Sequence, residues 1–468
     1  MSAPDPFSTP GRPPPDLLVC KTFYFVYSLG LACLIPFLPL LYAQWGLSAT
    51  HVGAMGAIRF VIGFIAVPLW NGIADATKKH NAIHFVCLVC QASTYGHLIN
   101  VSHAWPTIWF YVVFAECLSS PSTSLADAAS GSMVRRWNVL RGLGEHDEGS
   151  ASYGRQRMWG AVSWGFVAAP VMGAIMTRGS PKTRERAPFV GWFVILLAAA
   201  LLSTKLQHGT EGDADARAEK ESEEELAEAD ESGTFSRVAS AEDLHAPISA
   251  SSIPRQLWSV VKQPPVAMKF FLFLMAGASM AITDIYLFLW LNECGGTPWL
   301  MGVALFCTCV TEVVIFYYGS WIKRTLSLDW CLILTPFAYF LRQVYYWALP
   351  YFGNAWAVLP VQFLHGITFG LYWSTSNDFI QDIAPRGLTA SMMGLFGAVN
   401  SIGGLGGSTL GGLVYDKFGG GRLFLGIGLI NFFLGSWFTV NKLRKDRGTP
   451  NQSDSIRYVK LENVDNEL

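Results

Sequence analysis

Residues 209–233 read GTEGDADARAEKESEEELAEADESG. So acidic and so poor in apolar side chains, this stretch cannot bury a core and is expected to be a disordered tether within a linker spanning 207–265. What flanks it decides the fold. Crossing a bilayer core takes roughly twenty apolar residues. Runs of that length lie near 19–43, 52–74, 83–101, 106–128, 158–177 and 188–206, and again near 267–291, 298–319, 329–350, 354–377, 388–414 and 422–440. Six runs, a tether and six more predict an all-α membrane protein of about twelve transmembrane helices in two six-helix bundles. The bundles cover 19–206 and 266–442, between a disordered tail at 1–18 and a second tail at 443–468.

The bulk composition agrees. Of 468 residues, 51% are hydrophobic and only 14% charged, against the quarter or so usual for a soluble domain. The 17 Trp and 31 Phe suit side chains set at membrane interfaces. A net charge of −1 gives no bulk field for nucleic acid, and none is expected as a partner. The opening MSAPDPFSTPGRPPPD is polar and Pro-rich and reads as an extended tail, not as a cleavable leader. Most of the nine Cys sit in apolar runs; Cys87 and Cys90 lie in an unbroken one without flanking ligands, which makes them packing residues with no disulfide or metal expected.

Lys and Arg in the short loops set the orientation. With the N-terminus cytoplasmic, the inner loops hold Lys78, Lys79, Arg135, Arg136, Arg141, Arg155, Arg157, Lys323, Arg324 and Arg386. The outer loops hold Arg178, Lys182, Arg184, Arg186, Lys417 and Arg422. The inner excess, together with Lys442, Arg444, Lys445 and Arg447 after the last run, places both termini and the linker in the cytoplasm. The basic loop at 178–187 dissents. In the tether, Ser236 and Ser240 beside Arg237 are either phosphorylation sites or ordinary solvated residues.

No P-loop, H-E-x-x-H or nucleophile elbow is present, so no enzyme and no cofactor are expected. What stands out is ionisable residues inside spanning runs: Arg59, Glu116, Asp284, Glu312, Arg342 and His365. Each costs about 2.5–3.5 kcal/mol against hydrocarbon on insertion scales, so each must face the interior, a partner or water. Arg59 is near enough to the outer end of its run either to snorkel or to reach inward. Glu116 is central and cannot snorkel. Glu312 and Arg342, at similar depth on consecutive antiparallel runs, read as a structural ion pair. Asp284, toward the outer third of its run, fits either a gate or a rim contact. A lone His is usually a satisfied core residue, but His365 shares a helical stripe with Gln362, Tyr372 and Ser376, and polar stripes in membrane helices face cavities. Ser279, Thr283, Tyr286 and Trp290 make a similar stripe in the seventh run; Tyr24, Tyr27 and Ser28 add one in the first. Polar faces on runs one, four, seven and ten predict a central path lined by Glu116, His365, Asp284, Arg59, Tyr27, Gln362 and Tyr372. Gly165, Ala169 and Gly173, and Gly403, Gly407 and Gly411, recur every fourth residue and predict close helix contacts.

The stretch Pro68-Leu-Trp-Asn-Gly-Ile-Ala-Asp75-Ala-Thr-Lys78-Lys79-His80 resembles the loop motif of the major facilitator superfamily. The resemblance implies that Asp75, Lys78 and Lys79 hold neighbouring helix ends together. Asn71 and Ala76 replace the Gly and Arg usual there, and the second-half loop Gly319–Arg324 has no Asp. Ser120-Pro121, Leu125-Ala-Asp127, Tyr153–Gly160, Leu364–Gly370, Ala384–Gly387 and Gly411–Asp416 are similar to the branch around major facilitator domain-containing protein 6, related to nucleoside–proton symporters and lactose-permease-like proteins. Those permeases place an Arg on helix nine and a His, then a carboxylate, on helix ten; Arg342 and His365 match, while Thr368 stands in the carboxylate's place. Gly165–Ala174 also resembles the antiporter signature of helix five. The resemblance implies a monomeric secondary transporter of a small polar organic solute, with proton symport the leading expectation and proton antiport or a non-transporting scaffold the alternatives.

Overall fold

A computed structural model describes residues 16–143, 150–208, 253–385 and 388–448. Most of the tether, with Ser236 and Ser240, and most of both tails lie outside the described residues; the first helix already begins at Leu17 and the last runs on to Gly448. The long helices, in chain order, are α1 (Leu17–Gln44), α2 (Ala49–Thr77), α3 (His80–Leu98), α4 (Trp105–Val139), α5 (Tyr153–Arg178) and α6 (Pro181–Ser203). After them come α7 (Pro264–Glu293), α8 (Pro298–Leu326), α9 (Leu328–Ala348), α10 (residues 359–383), α11 (Thr389–Phe418) and α12 (Gly420–Gly448). A short helix, Ile253–Val261, precedes α7, so the stretch drawn as linker gives way to structure well before 265.

Local chemistry starts these helices where expected. Pro181, Pro264 and Pro298 occupy first-turn positions, where the missing N–H costs nothing. Ser48, Ser180 and Thr297 accept hydrogen bonds from His51, Thr183 and Leu300. Seven helices, α1, α2, α5 to α8 and α12, are apolar and long enough to cross a membrane on length and composition alone. The other five are diluted by interior polar side chains or, in α11, by glycine.

The helices form two halves, α1–α6 and α7–α12, that meet through α2 against α11 and α5 against α8. We call the face holding the start of α1 and the ends of α6 and α12 basal, and the opposite face distal. One buried apolar cluster runs through the first half and continues into the distal ends of α7, α8, α9 and α12; a second is confined to the basal part of the second half. The halves are therefore welded distally. Small residues make that weld possible. Side chains at Gly173 and Gly165 would collide with Pro298 and Cys309 of α8, and one at Gly53 with Tyr286 and Ser408. Gly403, Gly407 and Gly411 instead seat α11 on α7 within one half. Asp416, at the end of α11, accepts the N–H groups of Ala49 (2.9 Å) and Thr50 (2.8 Å), capping α2 across the halves.

Basal ties act within each half. Asp127 accepts from Tyr24 (2.7 Å) and pairs with Arg157 (3.2 Å); Lys269 pairs with Asp329 (2.7 Å) and Lys323 with Asp378 (2.5 Å). At the α2–α3 corner Asp75 pairs with His80 (2.8 Å). Lys78 takes the left-handed backbone (φ 54°) that ends α2, and Lys79 is the N-cap of α3. The dissenting basic loop also has a local use: Arg184 donates to the carbonyls of Thr177 and Gly179 (both 3.0 Å), closing the end of α5.

Candidate functional site

In the first half, Arg59 reaches inward. Its Nε lies 3.4 Å from Glu116 Oε1, and its side chain is 51% exposed. Glu116 is buried and also accepts from Tyr95 (2.6 Å) and Ser119 (3.3 Å). α2 and α4 are packed together, which brings a guanidinium and a carboxylate from different helices to one point. Tyr27 stacks on Phe23 and its hydroxyl lies 3.3 Å from that of Thr123, on the same side of α4.

The second half holds a longer chain of polar groups. Arg342 is buried and donates to Tyr346 (3.1 Å), Gln362 (3.2 Å), Thr368 (2.7 Å) and His365 Nδ1 (3.3 Å). A guanidinium has no acceptor, so His365 Nδ1 must carry the lone pair and Nε2 the hydrogen. Nε2 in turn points at Glu312, 3.9 Å away. The expected Glu312–Arg342 pair is thus corrected: among the described residues no ion pair joins them, and His365 stands between. Thr368, in the place where related permeases carry a carboxylate, is itself an acceptor for Arg342.

Asp284 differs from all of these. α7 is the most buried of the seven apolar helices, and its residues 281–283 and 286–289 are enclosed, yet Asp284 is exposed. Among the described residues it has no hydrogen-bond or ion-pair partner. It lies within electrostatic reach of Arg342 in its own half and Arg59 in the other. Exposure on so buried a helix means that the carboxylate looks into the space between the halves.

Two expected stripes are turned elsewhere. Gly366–Leu371 of α10 is a π turn, with Gly366 pressed on Thr311 of α8. One extra residue per turn rotates everything after it by about 100°. Gln362 and His365 therefore face Arg342, while Tyr372 is buried among Phe273, Trp373 and Phe396 and donates to Asn400 (2.6 Å). Tyr372 lines no pathway here. On α7, Ser279 accepts from Asn431 (2.8 Å), Tyr286 donates to the Ser408 carbonyl (2.5 Å) and Trp290 to that of Tyr346 (2.7 Å), so this stripe holds the second half together. The antiporter-like Gly165–Ala174 segment has a packing use too: its π turn, Val162–Ala168, precedes Pro170, and its small residues face α8. Sequence reasoning missed Tyr95 and Tyr346, since an aromatic residue near a helix end carries no signal of its own, and it had Asp416 only as part of a family-like stretch, without its capping role.

Two helical halves enclosing charged side chains contributed from both sides are the build of a secondary transporter. The comparisons agree. The chain belongs to the MFS_1 like family, whose model matches residues 17–426, and it is a multi-pass membrane transporter of the major facilitator type. It is 27% identical over 190 residues to the zebrafish (Danio rerio) major facilitator superfamily domain-containing protein 6-like; the match covers 40% of this chain and 33% of that protein. It is 22% identical to the maltose permease of Geobacillus stearothermophilus over 87% of this chain and 90% of the permease. Among solved structures, the nucleoside transporter NupG superposes with a TM-score of 0.67 at 13% identity, covering 91% of this chain and 98% of that one. A POT family transporter in complex with 5-aminolevulinic acid gives 0.59 at 13% identity, with 92% and 96% covered.

Proposed function

We propose that this chain is a proton-coupled symporter of a small polar organic solute, working by alternating access between its two halves. The observation that carries the reading is the charge balance of the central space. Arg59 is matched by Glu116, and Arg342 is matched by Glu312 through His365. Asp284 is left over. A carboxylate without a counter-charge inside a membrane protein is costly, so the loaded state takes up one positive charge there. Glu116 and His365 are the groups, one in each half, that exchange protons with the cavity; Asp284 faces the solute. His365 is the imidazole of this group, placed beside Arg342 and Glu312. Relatives and neighbours whose names specify maltose, nucleosides or 5-aminolevulinic acid support a small polar solute as cargo. The distal weld and the exposed Asp284 and Arg59 correspond to a carrier open on its basal face. By the Lys/Arg asymmetry that face is cytoplasmic, with both termini and the tether, and the working unit is a monomer.

Uptake into vesicles of the purified protein, with and without a pH gradient, tests this against a metabolite mixture. Glu116→Gln and His365→Asn each keep approximate shape and remove a proton carrier. Each is expected to abolish gradient-driven accumulation while solute binding persists, and Asp284→Asn to weaken binding itself. Wild-type accumulation in the double variant Glu116→Gln/His365→Asn would remove both residues from the coupling role.

A further inference from the structure

The central space receives one acid and one base from opposite halves, and the packing places them side by side. Ile285, next to Asp284 on α7, is seated on Gly56 of α2, one helical turn before Arg59. A turn further toward the distal face, Gly53 meets Tyr286 and the weld begins. Asp284 and Arg59 therefore flank the closed end of the space, at the point where a solute entering from the basal side must stop. We propose that the cargo is a zwitterion, an amino-acid-like compound whose ammonium group sits on Asp284 and whose carboxylate sits on Arg59. This rests on the transport reading above and narrows it to one class of solute.

Each seat is still open to its half of the cargo. Arg59 is half-exposed and touches Glu116 through Nε at 3.4 Å, and its guanidinium makes no hydrogen bond among the described residues. Both oxygens of Glu116 already accept, Oε1 from Tyr95 and Oε2 from Ser119. The fork at the far end of the guanidinium is thus uncommitted, and its geometry matches a carboxylate. Beside it, the hydroxyl of Tyr42 is buried and without a hydrogen-bond partner among the described residues, within electrostatic reach of both Arg59 and Glu116. A buried hydroxyl left without a partner is costly, and an anion on Arg59 would supply the missing acceptor. The Asp284 carboxylate is the reverse case. It can only accept, and no donor reaches it among the described residues, so it is a seat for a cation.

Charge bookkeeping selects a zwitterion over a simple cation or anion. With His365 neutral, the space and its near surroundings hold three guanidinium groups, Arg59, Arg342 and Arg157, and four carboxylates, Glu116, Glu312, Asp284 and Asp127. One negative charge is left over. A zwitterion leaves that count unchanged, and the co-transported proton cancels it. A plain cation would cancel it alone and leave the proton no favourable place, while an anion would double it.

The test is isothermal titration calorimetry on the purified full chain at one pH and without a gradient, so that a failure of proton coupling does not enter the result. The proteinogenic amino acids, and ω-amino acids from glycine to aminohexanoate, are titrated beside their hydroxy-acid and amide analogues. The first analogue lacks the ammonium and the second the carboxylate; glucose and uridine are the uncharged controls. The wild type should prefer a zwitterion over each of its analogues by roughly 10–100-fold, the range of a hydrogen bond to a charged group. Asp284→Asn should erase the preference over the hydroxy acid and keep that over the amide, and Arg59→Gln should do the opposite. These are ratios between probes on one protein, so a sample in which part of the protein is unfolded still reports them. Equal loss of every probe in both variants would make the two residues a tie between the halves and overturn the proposal. Tighter binding of glucose or uridine, indifferent to both variants, would overturn it while transport of a neutral solute stood. Absence of binding by any compound, together with no uptake from the metabolite mixture, would overturn the transport reading as well.

Discussion

Replacing Arg342 with methionine separates the two accounts of the second-half charges. Arg342 donates to four side chains, of which Gln362 and Thr368 are 1% exposed. Methionine fills much of the volume and donates nothing, so Gln362, Thr368 and Tyr346 lose a charged partner in a site water does not reach. Each orphaned buried group costs about 1–3 kcal/mol, and breaking a buried charge network about 3–5 kcal/mol overall. At about 2–4 °C per kcal/mol for a unit the size of the second half, the melting temperature should fall by roughly 6–20 °C. Glu312→Gln should behave differently. Its nearest titratable neighbour, His365 Nε2, is 3.9 Å away, beyond hydrogen-bond range, so the loss should stay below about 1–2 kcal/mol. The assay is thermal unfolding of both variants and their double mutant in mild detergent, read as a coupling cycle. A direct ion pair predicts large, equal single losses that do not add. Were that cycle observed, the interposed His365 would be wrong and the simple pair right.

Two further outcomes test the distal weld. Asp416→Ala removes the acceptor for two amides of α2, worth about 1 kcal/mol, so hydrogen exchange at residues 49–52 should quicken about fivefold; unchanged exchange would show that the cap carries no weight. Gly173→Leu drives a side chain into the Pro298 carbonyl, so the protein should fold and reach the membrane while vesicle uptake falls to background, and wild-type uptake would show that α5 and α8 need not approach so closely.

The architecture was legible because lipid imposes a coarse rule: a spanning helix must be apolar for about twenty residues, and that length is hard to counterfeit. The rule says nothing of where a helix ends in water. α4 was expected to stop near 128 and runs on to Val139, because its basal extension packs its own polar residues: buried Arg136 reaches Gln207, and Asn138 holds the backbone of Ala151. The helix at Ile253–Val261 was hidden for the same reason, being too short to span and attached to an acidic stretch.

At the site, the cost of burying charge gave the membership and not the pairing. Arg59, Glu116, Glu312, Arg342 and His365 all turn inward, as hydrocarbon requires, but which one meets which depends on rotations of a few tens of degrees. The π turn at Gly366–Leu371 decides that question in the second half. Helical spacing carried from Gln362 through to Ser376 assumes 3.6 residues per turn throughout, and a single wide turn moves Tyr372 and Ser376 into the bundle. The same turn sets His365 and Thr368 together against Arg342. An unbroken α-helix would have spread one polar face along the whole of α10. What the turn makes instead is a compact group, with Arg342 at its centre and Glu312 at its edge, and a tyrosine freed to pack the core.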